Sequence, residues 1–91
     1  MKKIRYSFTF YGQVQGVGFR YTASHAASRY DLRGWVKNEY DGSVSAEVQG
    51  TENAINQWLG ILSNNHFIGI ERIEKKEIPL RDDERGFGVK Y

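Results

Sequence analysis

At 91 residues the chain is expected to form a single domain, 1–91, close to the size at which one core suffices with little to spare. Its 40% hydrophobic and 14% aromatic content argues for a packed core and against disorder, and the absence of cysteine excludes a disulfide framework and a thiolate zinc site. The 13 basic and 11 acidic residues leave a net charge of +2, too even to mark a binder of polyanions.

In chain order, Ile4, Tyr6, Phe8 and Phe10 alternate with Arg5, Ser7 and Thr9, the period of a half-buried strand. A glycine-rich loop follows. From Phe19 the apolar spacing lengthens: Phe19, Ala23, Ala26 and Tyr30 share one helical face with Ala27 beside it, and Asp31-Leu32 is the expected exit. A second strand fits Arg33 to Glu39, Asp41-Gly42 supplies hairpin-turn chemistry, and Val44, Ala46 and Val48 alternate on a third strand ending at Gly50. Thr51 is a candidate N-cap with Glu52 in the first turn of a second helix, whose stripe is Ile55, Trp58, Leu59 and Leu62. Gly60 inside that helix costs about 1 kcal/mol relative to alanine. Ile68 and Ile70 open a further strand whose phase slips at Ile73, implying a bulge or bend, before Ile78-Pro79 ends it. Phe87, Val89 and Tyr91 make a short last strand.

That order predicts an α+β fold: a ferredoxin-like split βαβ sandwich, βαββαβ plus a short C-terminal strand. Two helices cover one face of a mainly antiparallel sheet. A right-handed first crossover leaves strands one and two parallel, with another strand between them. The carboxyl ends of both then open on one edge, where Gln15 to Arg20 can meet Asn38 despite their separation in sequence.

The stretch Gly12-Gln13-Val14-Gln15-Gly16-Val17-Gly18-Phe19-Arg20 therefore joins a strand to a helix N-terminus. Backbone N–H groups there lack intrahelical partners, and with the helix dipole they form a ready anion site that Gly16 and Gly18 leave open. Arg20 falls in the first turn, where its charge opposes the dipole, as suits a guanidinium with an anion to meet. A plain turn beside a solvated arginine is the alternative on loop chemistry alone. A P-loop needs Lys-Ser/Thr after its last glycine, where Phe19-Arg20 stand, and the dinucleotide fingerprint needs glycine where Tyr21 stands. Asn38, with an acceptor and a donor at a strand end, can hold a water without change of charge, or can simply ease the strand into its turn.

Taken together, the two stretches resemble the acylphosphatase family. Its first signature, Gly-x-Val-Gln-Gly-Val-x-Phe-Arg, is matched at every specified position from Gly12 to Arg20. Its second is filled by Gly34, Trp35, Val36, Lys37, Asn38, Gly42, Val44 and Gly50. The resemblance implies hydrolysis of acyl phosphates to a carboxylate and inorganic phosphate. It assigns phosphate binding to Arg20 with the backbone of Gln15, Gly16, Val17, Gly18 and Phe19, and positioning of the attacking water to Asn38. Inorganic phosphate is then both product and competitive inhibitor. One departure stands out: family members often carry a small hydroxyl residue after the asparagine, and this chain has Glu39. If strand geometry persists, Glu39 points away from Asn38; if the turn has begun, its carboxylate repels phosphate.

No metal or other cofactor is expected, since His25 and His66 lie far apart without a second ligand at metal-site spacing. A soluble, cytoplasmic protein without a membrane partner is expected, because no apolar signal core follows Met-Lys-Lys-Ile-Arg and no run reaches membrane-spanning length; a monomer with no nucleic-acid partner is expected as well. The rival reading is a non-catalytic phosphate- or RNA-binding module of the same topology. Arg85-Gly86-Phe87-Gly88 copies the opening of an RNA-recognition motif, but away from the third strand, where that motif belongs.

Overall fold

Residues 2–91 are described in a computed structural model. Every expected element is present and in order: β1 (Ile4–Gln13), α1 (Phe19–Arg29), β2 (Arg33–Asn38), β3 (Val44–Gly50), α2 (Glu52–Ser63), β4 (Gly69–Ile78) and β5 (Phe87–Lys90). The sheet runs β4-β1-β3-β2-β5. β3 is antiparallel to both β1 and β2, so those two strands are parallel with β3 inserted between them. β5 adds at the far edge, parallel to β2, and β4 closes the other edge antiparallel to β1.

The period-2 pattern decides which face is buried. Phe8 and Phe10 are sealed beneath the helices, with Phe10 and Phe19 ring centroids 4.9 Å apart and Phe8 and Trp58 5.8 Å apart. Trp58, fully buried at the centre of α2, donates its indole N–H to the Ala23 carbonyl of α1 at 2.9 Å. That bond locks the two helices in register and satisfies the one polar group the ring brings inside. Thr51 caps α2 as its sequence position implies, accepting a hydrogen bond from the Ala54 N–H.

The boundaries that moved did so for local reasons. Tyr30 packs partly against the core at the end of the apolar face of α1, but as the C-cap rather than within the helix. Asp31 behind it adopts a left-handed φ of 55°, and the Leu32 N–H reaches back to the Ala27 carbonyl at 2.9 Å. This is a Schellman closure, with buried Leu32 and Ala27 making its apolar contact. β2 ends one residue early, at Asn38, because Glu39 already belongs to the turn: its carbonyl accepts from the Gly42 N–H. The expected irregularity in β4 falls at Glu71 rather than Ile73, where Tyr11 pairs with Arg72 and Gly12 with Ile70. A side chain on Gly12 would come within 2.2 Å of the Gly69 carbonyl oxygen, so the bulge requires glycine. β4 is largely exposed even at Ile73, because the helices stop short of this edge.

On the opposite face, Arg5 departs from the simple alternation of apolar-in and polar-out. It is fully buried, clamped by Glu47 and Gln49 of β3 and by Glu84 of the connection between β4 and β5. The Gly34 N–H then donates to the Gly86 carbonyl, leading that connection into β5.

Candidate active site

The loop after β1 is held at both ends by apolar contacts. Val14 and Phe19 are buried, and Val17 packs partly against the same core. Between them Gly16 and Gly18 take left-handed φ values of 73° and 77°, and an added Cβ would meet nothing within 4 Å at either. Their requirement is therefore conformational: an L-residue could fit in space but not in backbone angle. Gly18 is the N-cap of α1 and, having no side chain, leaves the helix end uncapped; the first turn holds no acidic residue.

Among the described residues, none of the N–H groups from Gln15 to Phe19 donates a hydrogen bond to the protein. The positive end of the helix dipole lies behind them. Arg20, the second residue of α1, adds its guanidinium. No carboxylate pairs with it among the described residues; the Tyr91 ring lies over it, 5.2 Å from the guanidinium carbon to the centroid. Donors and positive charge converge here without an acceptor from the described residues.

Asn38 arrives from β2. Val36, two residues earlier, is buried under the helices, so alternation puts Asn38 on the same face, at the strand's carboxyl end. A cavity of about 370 Å³ is lined jointly by Gly16, Gly18, Phe19, Arg20 and Asn38. Gln15 and Val17 lie outside that lining. The Gln15 side chain does something the sequence did not disclose: its amide donates to the Glu39 and Ser43 carbonyls at 2.7 and 2.8 Å. It thereby ties the glycine loop to the β2–β3 turn and sets the distance between loop and Asn38. Nothing local marks a glutamine for such a bond across 24 positions of sequence.

Glu39 already belongs to the turn, yet its carboxylate turns to the far face of the sheet rather than toward the loop. Its carboxylate accepts from the Ser45 hydroxyl, and Ser45 sits on the sheet face away from the helices. Asp41 secures the same turn, accepting from the Ser43 N–H and hydroxyl; the hydroxyl bond, then the N–H bond, holds its carboxyl below the usual range. Phe87, from the RNA-motif look-alike, packs on the helix side with its ring 6.1 Å from Trp58, so it is not presented on the open sheet face. Among the described residues no three His, Asp or Glu side chains group at metal-binding distances, and no helix is long and apolar enough to cross a membrane.

Comparison with known proteins bears on the family and the fold. The acylphosphatase family model matches residues 6–89. An acylphosphatase of Clostridium acetobutylicum is 43% identical over 88 residues, covering 96% of this chain and 97% of its own. The crystal structure of acylphosphatase from Bacillus subtilis superimposes with a TM-score of 0.88 at 34% identity, covering 97% of this chain and 99% of that one. T. kodakarensis HypF matches at a TM-score of 0.83 and 37% identity, covering 97% of this chain but 12% of that far longer one. With the family model spanning nearly all of its length and full-length relatives above 40% identity, this chain belongs to the acylphosphatase family.

Proposed function

We propose that this protein hydrolyses acyl phosphates to a carboxylate and inorganic phosphate, acting as a single 1–91 domain and a cytoplasmic monomer. The observation that carries the reading is the set of unpartnered loop N–H groups with Arg20, in one cavity with Asn38. The N–H groups of Gln15 to Phe19 and the guanidinium of Arg20 bind the equatorial phosphoryl oxygens. Charge stabilisation there is the main demand of phosphoryl transfer. Asn38 holds a water in line. Its oxygen bonds to phosphorus as the phosphorus–oxygen bond to the acyl group breaks, and the carboxylate leaves with the electron pair. The water's proton passes to solvent.

A carboxylate leaving group has a conjugate-acid pKa of about 4, so it departs without a general acid. A neutral amide suffices to orient the water, since orientation rather than deprotonation is what the step requires. Chemistry and residue types thus agree without a nucleophile or a His–carboxylate pair.

Benzoyl phosphate hydrolysis provides the test. Asn38→Ala should abolish turnover while inorganic phosphate still binds; Arg20→Ala should lose both. Inorganic phosphate should compete with substrate in the unaltered protein. Undiminished turnover in either variant would remove that residue from its role, and phosphate binding without any hydrolysis would leave a non-catalytic phosphate binder.

A further inference from the structure

The phosphate end of this site does not use all of it. The cavity of about 370 Å³ has room well beyond the five heavy atoms of a phosphate, at about 30 Å³ per water-sized unit. Its remaining wall is built by Val14 of the loop, by Tyr21 and Ser24 on α1, by Val89 on β5, and by Tyr91 just beyond it. Among the described residues Arg20 alone brings a charged side chain to the cavity lining, so once phosphate has met that guanidinium none of them offers a cation to a second anionic group.

Tyr21 is the unusual member of this wall. It stands next to Arg20 and is 74% exposed, yet its ring is not loose. The His25 ring, one helical turn along, stacks against it with centroids 5.7 Å apart and planes 11° from parallel. An exposed aromatic ring braced beside a phosphate cradle is a preorganised surface for a flat apolar group.

We propose that the α1–β5 end of the cavity is the acyl subsite, that Tyr21 selects uncharged, planar or apolar acyl groups there, and that His25 is the positioning residue for Tyr21. The inference rests on the hydrolytic reading above and names its substrate class. The neighbouring cavity floored by Lys37 to Tyr40 is the competing location. It lies along the residues that flank Asn38. In an in-line displacement the leaving group departs opposite the attacking water, away from the strand that carries Asn38 and toward α1.

The test compares benzoyl phosphate with acetyl phosphate. Tyr21→Ala should lower kcat/KM for benzoyl phosphate by about fivefold, the size of one aromatic contact, and change that for acetyl phosphate by less than about twofold. Inhibition by inorganic phosphate should stay as it is, and Tyr21→Phe should keep the original preference. His25→Ala should raise KM for benzoyl phosphate with kcat unchanged, and His25→Phe should restore it. A benzoyl-to-acetyl ratio unmoved by Tyr21→Ala overturns the subsite. A ratio moved by Tyr21→Ala but not by His25→Ala overturns the positioning role. Hydrolysis of neither substrate by the unaltered protein defeats the hydrolytic reading itself, and the subsite with it, a result distinct from an unmoved ratio.

Discussion

Two arginines on opposite faces of the sheet are put to opposite uses. Arg5 has no exposed surface; Nε and Nη2 donate to Glu47 at 3.1 and 2.9 Å, and Nη1 and Nη2 donate to Glu84 at 2.7 and 3.0 Å. Burial pulls its pKa down, but its hydrogen bonds to those two carboxylates, with their charge, outweigh it and hold the guanidinium above its ordinary value. Arg20 is half-buried, has no carboxylate beside it among the described residues, and faces unpartnered N–H groups. A guanidinium whose donors are all answered by its own chain is a staple. One surrounded by other donors is a binding site.

The largest effect should come from removing the open arginine. Arg20→Ala is expected to cut kcat/KM on benzoyl phosphate by about a thousandfold, the scale seen when a preorganised charge-stabilising donor is lost. Its urea midpoint should barely move, because no internal ion pair is broken. Arg5→Ala should do the reverse. Two carboxylates would lose their buried partner, costing about 3–5 kcal/mol in urea unfolding, while the protein still folded at low temperature keeps its activity per molecule. A variant of either residue that moved both quantities alike would break the distinction.

Smaller changes sharpen it. Gly60→Ala touches neither arginine, and a Cβ there meets nothing within 4 Å. It should raise stability by about 1 kcal/mol in thermal or urea unfolding and leave both substrates' kinetics alone. The smallest effect is at acid pH. The hydrogen bond from Arg81 holds Asp83 below the usual carboxylate range beside the Arg5 staple, and Ser43 does the same for Asp41 beside the site. A depressed folded-state pKa contributes stability above the unfolded value, and that contribution is lost as pH falls through the folded one. Unfolding midpoints should therefore decline on acidification below the carboxylate range, and Asp83→Asn or Asp41→Asn should each flatten part of that decline. An unchanged slope in both variants would remove these residues from the acid limb.

Much of this was legible from local pattern. The alternation from Ile4 to Phe10, the stripe through Ile55, Trp58 and Leu62, the Thr51 cap and the Asp41-Gly42 turn each carry their reason within a few residues, and all stand in the fold. The β4 irregularity was legible only as a broken phase. Its position at Glu71 depends on where Gly12 comes up against Gly69, which is a cross-strand matter. The aromatic wall beside Arg20 had no signature: Tyr21 looks like an ordinary exposed tyrosine, and Tyr91, expected to continue the last strand, stands just beyond its end at Lys90.

Sequence by itself thus determined the elements, their order, the glycine loop and its arginine, because periodicity, turn chemistry and backbone angle are properties of neighbouring residues. Tertiary structure alone decided that Gln15 bonds the β2–β3 turn, that Glu39 faces Ser45, and that Arg5 is enclosed while Arg20 has no carboxylate beside it among the described residues. The glycine loop marks Arg20 along the chain, but nothing beside Arg5 in sequence marks its enclosure. The carboxylates that answer Arg5 lie 42 and 79 residues away, and only the packed sheet brings them there.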